Sequence, residues 1–205
     1  NIPHYVSESN TQPGMPKYKD LNGDGIIDTN DRTMIGRGLP IHTGGFTNNF
    51  EYKGFDLSVF FQWSYGNDVL NANRLFFDSG FQKKRELNQY ASYTNRWTPG
   101  NPNSDIPAAT NSSSNLVISS RVVEDASFLR LKTVTLGYTV PKTFLKKYKI
   151  DNARLYVAAQ NLWTITGYSG YDPEVSIRSG GLTPGLDFSS YPRALSVSFG
   201  INLGF

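Results

Sequence analysis

The last fifteen residues, Tyr191 to Phe205 (YPRALSVSFGINLGF), restrict the fold more than any other stretch. From Leu195 every second residue is apolar: Leu195, Val197, Phe199, Ile201, Leu203 and Phe205. The residues between them are Ser196, Ser198, Gly200, Asn202 and Gly204, all small or polar and none charged. Strict period-two alternation predicts a β-strand with one apolar face. A soluble sandwich strand alternates in the same way, but its other face usually carries charges. A small, uncharged second face suits a strand with hydrocarbon on one side and a crowded polar interior on the other. The expectation is an all-β chain whose closing strand belongs to an antiparallel transmembrane β-barrel.

Composition agrees. With 19 Gly, 11 Pro, 12 Tyr and 13 Phe in 205 residues, turns and aromatics are both frequent, as in all-β proteins. No run approaches the roughly 18 apolar residues of a transmembrane helix. The mean hydropathy of −0.41 does not exclude a membrane, because alternating strands leave no such run. Cysteine is absent, which removes disulfides, thiolate catalysis and Cys-ligated zinc. The net charge is +3, but Lys and Arg are scattered, so nucleic acid is not an expected partner. The first residues, NIPHYVSESN, lack a charged-then-apolar export pattern. A barrel protein must be exported, so the signal is expected upstream of Asn1.

Residues 1–16 read as loop, and 1–42 as a loop region that contains an acidic segment. Strands are expected at about 43–52, 55–65, 126–140, 153–163 and 191–205. In the first pair, Phe46, Phe50 and Tyr52 share a face, as do Phe55, Leu57, Val59, Phe61, Trp63 and Tyr65. Lys53-Gly54 between them is a tight-turn signal. Two strands of this length can span a bilayer, for which about 9–11 tilted residues suffice. Aromatics at both ends match the two girdles of a membrane barrel. Further on, Val134, Leu136, Tyr138 and Val140 alternate with Thr133, Thr135, Gly137 and Thr139. Leu155, Val157, Ala159 and Trp163 oppose Arg154, Tyr156, Gln160 and Leu162.

Residues 66–121 form a long excursion, with helical spacing over 68–78 and 81–96 and Pro/Gly/Asn/Ser-rich coil after it. Residues 164–190 are a second long loop. Connections thus alternate short, long, short, long. Outer-membrane barrels have short periplasmic turns and long outer loops, and a sandwich gives no reason for the asymmetry.

Asp20 to Asp31 reads D-L-N-G-D-G-I-I-D-T-N-D. Counted as a twelve-residue loop, it places Asp20, Asn22, Asp24, Ile26 (through its carbonyl), Asp28 and Asp31 at the calcium-ligand positions, with Gly25 at the sharp turn. Asp31 replaces the usual Glu. Four carboxylates this close repel one another unless a hard cation gathers them, so a structural Ca²⁺ is one reading. An acidic turn whose side chains bond their own backbone is the other. The flanks MPKYK and RTMIGRG are not the helices of a calcium sensor.

KYKDLNGDGIIDTNDRTMIG (17–36), YKGFDLSVFFQWSYGN (52–67), NRWTPGNPNSD (95–105), RVVEDASFLRLKTVTLGYTVP (121–141), ARLYVAAQNLWTITGYSGYDPE (153–174) and the terminal strand resemble, in order, the C-terminal part of SusC/RagA-type TonB-dependent outer-membrane transporters. The resemblance implies about five strands of a barrel of roughly 22. It implies import of a nutrient oligomer, glycan or peptide, across the outer membrane of a Bacteroidetes-type Gram-negative cell. Energy would come through TonB, contacted by an N-terminal part preceding Asn1, and a SusD-like surface lipoprotein would act as lid. A dimer of the transporter–lipoprotein pair and outer-membrane lipid are further implied partners. The long loops would be extracellular and the C-terminus periplasmic, with Phe205 ending the barrel-assembly signal. The acidic loop matches the family's own. No substrate motif carries over residue by residue.

Enzyme chemistry has little support. His4 and His42 lie in expected loops, and Asp172 and Glu174 in GYDPE more readily stabilise a loop than act as an acid–base pair. Gly44-Gly45 and Gly180-Gly181 lack the Lys-Ser/Thr of a phosphate loop. No organic cofactor is expected. A secreted, calcium-stabilised β-sandwich that binds carbohydrate is the alternative. Trp97, Tyr168 and Tyr171 are loop aromatics that would stack on sugar in either case, or else brace their own loops.

Overall fold

The computed structural model describes residues 4–5, 11–80, 87–111, 116–177 and 184–205. The chain divides into two units. One comprises Gly38–Asp68, Asp125–Val175 and Tyr191–Phe205; the other comprises Asn1–Arg37, Val69–Glu124 and Ser176–Ser190.

In chain order the strands are β1 (His4–Tyr5), β2 (Ile26–Ile27), β3 (His42–Tyr52), β4 (Phe55–Tyr65), β5 (Asp68–Asn71), β6 (Val123–Asp125), β7 (Phe128–Thr139), β8 (Asn152–Thr166), β9 (Leu186–Asp187) and β10 (Ser196–Gly204). Two short α-helices are α1 (Ala72–Phe77) and α2 (Lys142–Leu145). The first unit is built on one antiparallel sheet in the order β10-β8-β7-β4-β3. Successive long strands are neighbours. The two-residue turn Lys53-Gly54 and the connection over 140–151 therefore share one end of the sheet, and the long connections share the other. Both turn residues have positive φ (48° and 86°), as a type I′ two-residue hairpin turn requires.

The register puts the apolar positions of all five strands in rows. One row is Phe50–Leu57–Leu136–Val157–Phe199, and the next is Tyr52–Phe55–Tyr138–Leu155–Ile201. The opposite face carries Asn49–Ser58–Thr135–Ala158–Ser198 and Glu51–Asp56–Gly137–Tyr156–Gly200. The apolar face is open: Phe199 is 82% exposed, Ile201 65% and Phe50 59%. A sandwich would bury such a face under a second sheet. Aromatics cluster at its two ends. Phe46 stacks on Phe61 at 4.8 Å and His42 on Tyr65 at 5.1 Å, while Trp63 Nε1 donates to His42 Nδ1 at 3.1 Å. At the other end Phe55 meets Tyr138 at 4.6 Å.

Glycines accommodate the larger rings and charges. A Cβ on Gly44 would collide with the Trp63 indole, one on Gly45 with the Phe60 ring, and one on Gly200 with the Tyr156 ring. Such aromatic-over-glycine pairs fill the gap a glycine leaves in a strand. Gly137 serves a different contact. It lies between Asp56 on β4 and Arg154 on β8, and its lack of a side chain lets those two reach across β7. Arg154 Nε and Nη2 donate to the two Asp56 oxygens at 3.0 and 2.5 Å.

Two irregularities depart from simple alternation. Lys132 has no partner on β4 or β8, so β7 changes phase there. Leu131 then stays on the apolar face while Arg130 and Phe128 turn to the polar one. Opposite, Asn161 and Leu162 are looped out of β8, with Asn161 at φ 53°. The strand expected from Tyr191 begins at Ser196, because Pro192 has no N–H for a ladder and residues 191–195 run irregularly. β7 is two residues shorter at its start than the expected 126–140, and β8 runs on to Thr166.

The described residues of the second unit carry little regular structure. β2 pairs in parallel with β1, and a small sheet has the order β6-β5-β9. Val69, Ala72, Leu75, Ile106 and Val122 form its apolar interior. The helix expected over 68–78 is instead a strand followed by α1. Asn71 ends β5 and caps α1, accepting the Arg74 N–H at 3.4 Å. Of the helix expected over 81–96, residues 81–86 lie outside the described residues, and Ala91–Asn95 is a 3-10 turn.

Gly200→Val in the intact protein should destabilise the sheet by about 1–3 kcal/mol through overpacking against Tyr156. Urea unfolding in detergent would measure the loss, and adding Tyr156→Ala should recover much of it. No recovery would show that the ring does not set the spacing there.

Candidate functional site

The polar face of the five-stranded sheet holds a buried ion cluster built by the phase change at Lys132. Arg130 occupies a strand position with its side chain only 2% exposed. Its guanidinium donates to Asp172 Oδ1 at 2.5 Å and to Glu174 Oε2 at 2.8 Å, and lies 5.3 Å from the Phe128 ring centroid. Lys132 and Arg193 also reach Glu174 Oε2, at 3.4 and 3.2 Å, and Gln62 Nε2 donates to Glu174 Oε1 at 3.4 Å. Asp172 further accepts the Glu174 and Arg193 backbone N–H groups. The segment GYDPE is thus fastened to strands β4 and β7 through its two carboxylates. Burial raises the Asp172 pKa. The Arg130 hydrogen bond and charge and the two amides outweigh that effect, and the group ends below the usual carboxylate range. Asp172 and Glu174 spend their oxygens on cations, not on a shared substrate position.

The aromatic candidates separate. Tyr168 is 5% exposed, with its ring packed over Gly170, and presents no free face. Tyr171 is 84% exposed. Trp97, in the second unit, covers Gly14, and its backbone N–H donates to the Ile106 carbonyl at 2.8 Å. It also lines a cavity of about 410 Å³ together with Tyr18, Lys17, Asp105 and Arg121. Burial raises the Tyr18 phenol pKa against the opposing effects of Arg121 and Ser119. Beside the cavity, Arg121 Nη1 pairs with the buried Asp78 at 2.7 Å, and Arg74 joins Asp78 to Glu124.

The acidic loop closes on itself. Asp20 Oδ1 and Oδ2 accept the Gly23 and Gly25 amides at 2.6 and 2.9 Å, Asn22 the Asp24 amide, and Asp24 the Ile26 amide. Asp28 accepts the Asn30 amide. Asp31 accepts Asp28 and Leu21 N–H, both at 2.8 Å, and these bonds hold its carboxyl below the ordinary range. Gly25, at the turn position, has φ 83°. Among the described residues no three of His, Asp and Glu converge closely enough to hold a metal ion. His42 lies in β3 under Tyr65, and His4 in β1. Gly180 and Gly181 fall outside the described residues.

No protein-family model matches the chain. A TonB-dependent receptor of Formosa agariphila is 40% identical over 200 residues, which cover 95% of this chain and 19% of that protein. The solved RagAB peptide importer in its closed-closed state superposes with a TM-score of 0.75 at 29% identity, over 91% of this chain and 20% of that one. The chain corresponds to one part of a SusC/RagA-type TonB-dependent receptor. The TonB-dependent receptor SusC of Bacteroides thetaiotaomicron is 29% identical over 201 residues, covering 98% of this chain and 18% of SusC. The chain therefore spans about a fifth of the length of the curated receptors it matches. These relatives are named as receptors and the solved neighbour as a transporter, in keeping with a role other than catalysis. The mostly antiparallel architecture with few helices matches a piece of that fold.

The sequence pattern sets Arg154 opposite the apolar positions of its strand but does not pair it with Asp56, and it does not single out Arg130. The signal was available: a lone Arg inside the strand FLRLKTVTLGYT must either break the apolar face or find a carboxylate.

Arg130→Met should leave Asp172 buried without its cation, at a cost of about 3–5 kcal/mol. Limited proteolysis of the intact receptor near Tyr171 should speed up accordingly, and Asp172→Asn on the same background should slow it again. Because the folded pKa of Asp172 is depressed, its contribution is complete above the unfolded value near 3.8 and is lost as pH falls through the lower, folded one. Wild-type cleavage should rise as pH drops below about 4, where the unfolded carboxylate begins to take up its proton. Arg130→Met should flatten that rise. Cleavage independent of both variant and pH would mean that the cluster does not hold the segment.

Proposed function

We propose that the intact protein imports a nutrient oligomer across the outer membrane as the barrel component of a TonB-energised receptor. The observation that carries this reading is the apolar face, in register across five strands and open along its whole length. Such a face needs hydrocarbon against it, and both sheet edges need further strands to pair with. The likeness to a peptide importer makes peptide the first substrate class to test, with glycan the other. A SusD-like lipoprotein supplies the lid, TonB supplies the energy, and pairs of the transporter and lipoprotein associate further. The long connections face outward, and the short turns with Phe205 face the periplasm.

The acidic loop takes part as an outer-surface brace. Its ligand spacing and Gly25 turn support a structural Ca²⁺, bound once the carboxylates swing from the loop's amides toward a shared centre. Asp20, Asn22, Asp24, the Ile26 carbonyl, Asp28 and Asp31 would hold it.

Val59→Arg places a charge on the apolar face near mid-strand and should cost about 2–4 kcal/mol. Ser58→Arg, one residue away on the polar face, should be tolerated. The fraction of receptor that resists unfolding in cold SDS reports assembly, and equal fractions for the two variants would contradict the membrane orientation. For the loop, calcium should slow proteolysis near residue 25 in the wild type, and Asp24→Ala should abolish that protection. Identical wild-type cleavage with calcium and with EDTA would remove the ion from the reading.

A further inference from the structure

The short connection PKTFLKKYKID at the turn end of the sheet is more cationic than a linker needs to be. Lys142, Lys146, Lys147 and Lys149 fall within eight residues, and the first acidic residue after them is Asp151. All four lysines are exposed, and among the described residues none forms an ion pair. Phe144 and Tyr148, four apart in the same turn, are 70% and 68% exposed, while Leu145 between them is buried. One apolar residue therefore suffices to seat the turn, and two aromatics are left projecting among four ammonium groups.

The place of the segment matters. Val140 N–H donates to the Ala153 carbonyl at 2.9 Å, and Asp151 N–H to the Gly204 carbonyl at 2.8 Å. These bonds hold the connection against the ends of β8 and β10. The apolar face ends at the same level, in the row containing Tyr52, Phe55 and Tyr138. Lys147 Nζ lies 5.9 Å over the Tyr148 ring. Exposed rings next to lysines without carboxylate partners, continuous with the end of the apolar face, suit a layer of anionic headgroups: the rings enter the interface and the ammonium groups meet phosphates.

We propose that residues 142–149 form a binding site for anionic phospholipid in the leaflet on the short-turn side. The inference rests on the membrane orientation proposed above. Lys142 and Lys146 take one headgroup phosphate or neighbouring ones, Lys147 and Lys149 extend the patch, and Phe144 and Tyr148 anchor it among the acyl-chain ends.

The test uses the full-length receptor in nanodiscs that hold one copy or two, made of phosphatidylcholine alone or with phosphatidylglycerol added. Amide exchange over 142–149 should slow with phosphatidylglycerol, and native mass spectrometry should find the anionic lipid retained. Each Lys→Gln change at 142, 146, 147 or 149 should weaken retention about fivefold. Lys17→Gln, elsewhere in the chain, should leave it unchanged. Equal exchange and retention in both disc types, with the receptor inserted in each, would overturn the site and leave the orientation intact. Failure to insert in either would overturn the orientation itself. Protection that appears only when two copies share a disc would assign the patch to a protein contact and overturn the lipid site.

Discussion

Register is the constraint on which the rest of this structure depends. Apolar side chains alternate along β3, β4, β7, β8 and β10, interrupted on β3 at Gly44 and Asn48, and the backbone ladder aligns them on one face across all five strands. A slip of one residue in any strand would exchange its two faces completely. Period-two patterning alone does not fix the alignment. The two-residue turn at Lys53-Gly54 sets β3 against β4, with the Trp63 and Phe60 rings over Gly44 and Gly45 in support, and the Tyr156 ring over Gly200 sets β8 against β10, because each ring fits only where its neighbour lacks a side chain.

The polar face extends the same economy to charge. Five strands cannot carry a bare guanidinium cheaply, and neither strand arginine here is bare. Arg154 reaches Asp56 over Gly137, and Arg130 takes both carboxylates of the GYDPE segment. The two pairs differ in weight. The Asp56–Arg154 pair is about a third exposed and solvent screens it, so its role is more to align β4 with β8 than to stabilise the fold. Arg130 and Asp172 are dry, and each makes the other tolerable in the interior. A segment of a long connection is thereby pinned to the sheet wall.

Much of this was readable beforehand, for identifiable reasons. Alternation in VSFGINLGF, TVTLGYT and FDLSVFF revealed the strands and their faces, since a period of two leaves no helical alternative. The Lys53-Gly54 turn declared itself by residue type. Phase changes were not legible: nothing in FLRLKT announces that Lys132 drops out of the ladder, and only the partner strands show it. One strand start was misjudged where Pro192 overrode an otherwise permissive pattern, and the helical spacing over 68–78 concealed a strand that Asn71 ends. The acidic loop was legible as a spacing. Its present self-bonded geometry depends on local hydrogen bonds, which spacing does not specify.

The bulge at Lys132 also bears on how such a wall can change over time. Upstream of it the strand is out of phase with its downstream half, and the guanidinium of Arg130 lies on the polar face only because of one extra residue. Point replacements along the ribbon alter a single surface patch. Losing that one codon would rotate Phe128 through Leu131 by half a turn and swing a permanent cation to the greasy side. A residue inserted in one of the long connections shifts no such phase, whereas one gained or lost within a strand exchanges the faces of everything on one side of it.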